Sequence, residues 1–184
     1  MERVNPRARQ DAYGSRINRS PLPFVPAVVP WASILIGSFL VLLPIASALP
    51  LLPPLGFLML LGWRLVRPGL LPIWAGLPLG LFDDLYSGQP FGFAIAAWSL
   101  AMIVVEMIET RFPWRSFWQD WFTAGLLIIA YLLAGWLFSG ATPTVHSLIA
   151  LVPQMLLSIV LFPLVARLVS KLDNLRLRRW LKLG

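Results

Sequence analysis

The stretch GLPLGLFDDLYSGQPFGF, residues 76–93, sets two adjacent acids, Asp83 and Asp84, between four glycines. Gly76 and Gly80 are four apart, a spacing that lets a neighbouring helix approach closely. Gly88 and Gly92 repeat that spacing beyond the acids, and Ser87-Gly88-Gln89-Pro90 reads as a tight turn joining two helical segments. The acids then fall at the C-terminal end of the first segment, where the helix dipole disfavours an anion. Their side chains leave a helix about 100° apart, so one partner does not serve both. At least one carboxylate therefore needs a specific partner, such as backbone N–H groups of the turn it precedes; the proposed contact is Asp84 pinning Ser87-Gly88. A turn-stabilising acid and a partner or substrate contact are both open on this reading.

What surrounds those carboxylates follows from composition. Of 184 residues, 58% are hydrophobic and 12% charged, and the mean hydropathy is +0.77; soluble domains carry about a quarter charged residues. The chain reads as an all-α integral membrane protein with one membrane domain, residues 26–167. It is flanked by a disordered basic cytoplasmic tail, residues 1–25, and a basic amphipathic cytoplasmic tail, residues 168–184. The first tail has five arginines and no apolar core of a cleaved signal peptide, and its composition buries too little apolar surface to order a chain.

Six apolar segments follow. Residues 31–49, 91–108, 121–138 and 145–166 each approach the roughly 20 residues that cross about 30 Å of hydrocarbon. Residues 51–63 and 70–85 are shorter and interrupted by Pro53, Pro54, Pro72 and Pro78, so each is a span with an irregular end or the pair is a re-entrant hairpin. With six transmembrane helices and both termini in the cytoplasm, all fifteen Lys and Arg fall on the inner side and the outer loops hold none, as the positive-inside rule requires. Trp31, Trp63, Trp114, Trp118, Trp121 and Trp136 lie near segment ends, where belt aromatics sit. The net charge of +7 is thus a topology signal that also meets anionic lipid headgroups, and nucleic acid is not an expected partner.

No catalytic apparatus is visible. The chain has no cysteine, which excludes disulfides, thiolate metal sites and a catalytic thiol. It lacks a Gly-Lys pair, and with it the phosphate-binding GxxxxGK[ST] loop, as well as an HExxH zinc motif. Its one histidine, His146, has no nearby acid in sequence. No enzyme activity, metal or cofactor is expected. Glu106 and Glu109, three apart on one helix face, read as an interfacial pair balanced by Arg111 and Arg115, and Asp120 as the cap of the next helix. Arg167, Lys171, Arg178 and Lys182 form a stripe if the last helix continues, suited to headgroups or a partner.

The segment Gly80-Leu-Phe-Asp-Asp84-Leu-Tyr-Ser-Gly88-Gln-Pro-Phe-Gly92 resembles the GLxxDxxSGxxxG signature of the rod shape-determining protein MreD family. Asp84 occupies the position of the family's acid, and Asp83 stands where the pattern more often has an apolar residue. The resemblance extends over roughly residues 30–167 and implies a non-catalytic scaffold in the bacterial inner membrane. Its implied partners are MreC, RodA with its penicillin-binding transpeptidase and, indirectly, MreB, in support of rod shape and lateral peptidoglycan synthesis. It also implies a fold like the six-helix substrate-binding subunits of energy-coupling-factor vitamin transporters, and such a subunit is the alternative function. Against that alternative, the spans are poor in polar side chains, with Gln154 an exception. A lipid flippase would want buried charge, which only Asp83 and Asp84 offer. The structural or partner motif is Gly76, Gly80, Asp83, Asp84, Ser87, Gly88 and Gly92.

Overall fold

The computed structural model describes residues 25–40, 52–112, 116–140 and 144–177. The expected disordered tail up to residue 24, residues 41–49 of the first apolar segment, Trp114, Arg115, Arg178, Arg179 and Lys182 lie outside them.

Among the described residues there are six α-helices: α1 (Val25–Phe39), α2 (Leu55–Val66), α3 (Gly76–Tyr86), α4 (Phe93–Arg111), α5 (Phe117–Phe138) and α6 (Val145–Leu177). A 3-10 turn, Ile73–Ala75, leads into α3. Three helices, α4, α5 and α6, are long and apolar enough to cross a membrane. The 15, 12 and 11 residues of α1, α2 and α3 extend only about 22, 18 and 16 Å. The prolines explain the brevity of α2 and α3: Pro53 and Pro54 precede α2, and Pro72, itself extended, ends the turn that leads into the 3-10 segment. Pro78 is tolerated because it sits in the first turn of α3, where its missing N–H has no helical partner to lose.

Short α2 is the centre of the protein. Its residues from Gly56 to Leu65 are all buried, the pattern of a helix that meets protein on every side. Close contact is made possible by glycine. A Cβ on Gly37 of α1 would lie 3.1 Å from the Gly56 backbone, so α1 and α2 touch main chain to main chain. Trp63, expected in an interfacial belt, is fully buried and donates its indole N–H to the Ser33 hydroxyl of α1 at 2.7 Å. A position near a segment end indicates an interface only if the segment faces lipid, and α2 does not.

The outer helices carry their apolar residues outward, with Leu100, Met107, Phe122, Leu126 and Val160 all more than 60% exposed. The start of α5 is capped by Ser116, which accepts the amide of Gln119; Asp120, expected as the cap, sits in the first turn, where it still complements the dipole. α6 is continuous from Val145 to Leu177 despite Pro153 and Pro163. Pro163 has no N–H for the Ile159 carbonyl one turn earlier, and Trp121 of α5 supplies that bond from its indole at 3.1 Å. Gln154 is used similarly, donating to the Leu52 carbonyl just before the Pro53-Pro54 break.

Candidate functional site

The acidic stretch forms the end of α3 and the turn into α4. Gly76 and Gly80 lie against α4: a Cβ on Gly76 would meet the Ser99 Cα at 2.8 Å, and one on Gly80 the Ala94 carbonyl oxygen at 2.6 Å. Both obstacles are backbone, so only glycine permits this approach. The antiparallel pair is thereby held close enough for a side chain at the end of α3 to reach the start of α4.

Asp84 makes that reach. Its Oδ2 accepts the Gly92 amide at 2.9 Å and the Ile95 amide at 3.2 Å, and its Oδ1 accepts the Ala94 amide at 2.8 Å. The first amides of any helix lack intrahelical acceptors; here Phe93 bonds the Pro90 carbonyl, and Asp84 takes the others. The expected contact with Ser87-Gly88 is corrected: the carboxylate crosses the turn and caps the next helix. The dipole supplies the reason, since an anion disfavoured at the C-terminus of α3 is favoured at the N-terminus of α4. The Ser87 amide instead bonds the Asp83 carbonyl at 2.8 Å. Gly88 and Gly92 take φ of +68° and +94°, left-handed values that strain any other residue.

Asp83 points elsewhere. It is buried against Ser38 of α1 and close to the Tyr131 ring of α5. Tyr131 stacks on Phe57 with centroids 4.4 Å apart and donates its hydroxyl to Gln89 at 3.3 Å. The Ser38 hydroxyl lies by the Asp83 carboxylate, and the Trp98 indole N–H by the Tyr131 hydroxyl. The two acids thus have separate environments, one filled by backbone donors and the other set among buried side chains of α1 and α5. Of these surroundings Ser38, Gln89, Trp98 and Tyr131 were not legible, because each comes from a different segment and none belongs to a spacing pattern.

At the opposite end of α4 lies a second charged cluster. Arg64, 1% exposed, pairs with Glu106 and, at 2.9 Å, with Glu109. Both acids thus share a partner on α2 that the sequence did not indicate, while the expected balance by Arg115 falls outside the described residues. Arg67 and Arg176 both bond Asp173, at 2.6 and 2.8 Å, and the Arg176 guanidinium lies 6.0 Å from the Trp63 ring centre. Arg64 in the last turn of α2 and Arg67 just past its end therefore tie it to α4 and α6. Among the described residues, no group of three His, Asp or Glu side chains is placed to hold a metal ion.

An acid engaged by three backbone amides can rigidify a turn and present it. The turn's exposed flanks are Leu85 and Phe91, at 62% and 71%. No curated protein and no solved structure matches the chain. The family model described as rod shape-determining protein MreD matches residues 23–174, and the chain belongs to that family.

Proposed function

We propose that the protein is a non-catalytic scaffold of the bacterial cell-elongation machinery in the inner membrane. Membership of the family supports a role in rod shape determination. The finer reading is that it binds MreC, works with RodA and its penicillin-binding transpeptidase, and meets MreB indirectly. It crosses the membrane six times with both termini inside, as residues 26–167 between two basic tails, in a fold like that of energy-coupling-factor substrate-binding subunits. The observation that carries the scaffold reading is the use of Asp84 as a cap, which spends the motif's acid on holding the exposed turn in one shape.

Replacing Asp84 by Asn and by Leu tests this, with folded abundance, MreC co-purification and rescue of rod shape measured together. A structural acid makes MreC capture and rescue fall only in proportion to folded abundance, with Asn, which keeps one accepting oxygen and turns an NH2 donor toward a backbone amide, intermediate and Leu lowest. Loss of rescue by a folded, abundant Asp84→Asn protein would mean that the charge itself acts on a partner or proton. The alternative is a small-molecule-binding transporter subunit, in which the buried polar groups around Asp83, Ser38 and Tyr131, would be the ligand contacts. Recovery of an ATPase pair in place of MreC would establish that second reading.

A further inference from the structure

The outward face of α6 changes character along its length. Val152, Leu156, Val160 and Leu164 are four residues apart and all exposed, which is one lipid-facing stripe. In the next turn the same side carries Arg167, Leu168 and Lys171. Together with Leu164 and Ser170 these line a concavity of about 480 Å³. Arg167 comes 22 residues after Val145, about 33 Å along the helix, just past the roughly 30 Å of hydrocarbon.

The acids nearby are committed elsewhere. Asp173 turns inward to Arg67 and Arg176, and Glu106 and Glu109 turn to Arg64. Among the described residues no acidic side chain pairs with Arg167 or Lys171. The concavity thus joins two uncompensated cations and a hydroxyl to an apolar stripe, in the order of a phospholipid's headgroup and chain.

We propose that this concavity is a binding site for an anionic phospholipid. Arg167 and Lys171 donate charge-assisted hydrogen bonds to the phosphate, the Ser170 hydroxyl donates a third, and an acyl chain lies along Leu164, Val160 and Leu156. A zwitterionic headgroup fits less well, because no acid in the concavity receives its cation. An acidic protein would use the charged turn and leave the continuous apolar stripe unexplained.

The test is native mass spectrometry of the full chain in a non-ionic detergent, titrated with phosphatidylglycerol or phosphatidylcholine of the same acyl chains. Phosphatidylglycerol is expected to be retained in preference. At about 1 kcal/mol per basic residue, the Arg167→Gln/Lys171→Gln protein should bind it roughly thirtyfold more weakly. Arg111→Gln, which removes an exposed cation outside the concavity, should bind as the parent does. Should the double variant lose helix content by circular dichroism, Lys171→Gln alone gives the reading, at roughly fivefold. Equal retention of the two lipids, or unchanged retention in the variants, would overturn the proposal. So would displacement of the lipid by millimolar inorganic phosphate, which would mark a site for the free anion. Loss of MreC capture with lipid retention intact would reassign the patch to a protein.

Discussion

The Asp84 carboxylate and the Ala94 amide, ten residues apart, meet at 2.8 Å in the protein interior. The last turn of α3 is thereby the cap of α4, and the turn between them is closed at both ends. Replacing Asp84 with Ala leaves the Gly92, Ala94 and Ile95 amides without acceptors. Loss of a cap costs about 0.5–2 kcal/mol, and buried unsatisfied donors add to it. Hydrogen–deuterium exchange should show Ala94 and Ile95 exchanging faster, ahead of any change in α5; unchanged protection there would exclude the capping role.

Glycines of the two faces should respond in opposite directions. Gly80→Ala places a methyl against the Ala94 carbonyl and should destabilise by about 1–3 kcal/mol through overpacking. At Gly125 the nearest atoms to an added methyl belong to Ile159, at 3.9 Å, so Gly125→Ala should be neutral or stabilise by up to about 1 kcal/mol from helix propensity. Thermal denaturation in detergent measures both, and equal effects would contradict the close α3–α4 approach.

Arg64 is the most deeply buried cation described. Arg64→Ala removes the buried guanidinium that Glu106 and Glu109 share, and breaking a buried pair from one side costs about 3–5 kcal/mol. Adding Glu106→Gln and Glu109→Gln to Arg64→Met should recover much of that loss. A triple variant no more stable than Arg64→Ala would show that uncompensated charge is not the source of the loss.

Trp121 and Pro163 form a donor-for-donor substitution across α5 and α6. Trp121→Phe should cost about 1–2 kcal/mol, because the Ile159 carbonyl loses its donor. In a Pro163→Ala background the restored helical N–H takes that carbonyl, and the same change should cost less. Additive effects in this double-mutant cycle would mean that the indole bond contributes nothing specific.

Topology is testable because the chain has no cysteine. Pro90 and Thr110 are exposed and flank the two ends of α4. Pro90→Cys should react with an impermeant thiol reagent in intact cells and Thr110→Cys only after lysis. The reverse pattern would invert the proposed orientation.

Hydropathy, charge placement and spacing act locally, so the sequence alone was enough for the membrane class, the apolar segments and the shortness of those broken by proline. It also identified Gly76 and Gly80 as a close-approach face and Asp84 as an acid in need of backbone donors, since helix dipole and glycine sterics depend on neighbours within a turn or two. The tertiary structure decided which donors Asp84 takes, and that Asp83 faces Ser38. It also decided that Arg64 binds Glu106 and Glu109 across more than forty residues of chain, that Trp63 lies in the core, and that Trp121 takes the carbonyl left free by Pro163. Those outcomes depend on which helix faces which, and that is settled by backbone contact between glycines such as Gly37 and Gly56, a matter of three-dimensional fit that one-dimensional hydropathy does not encode.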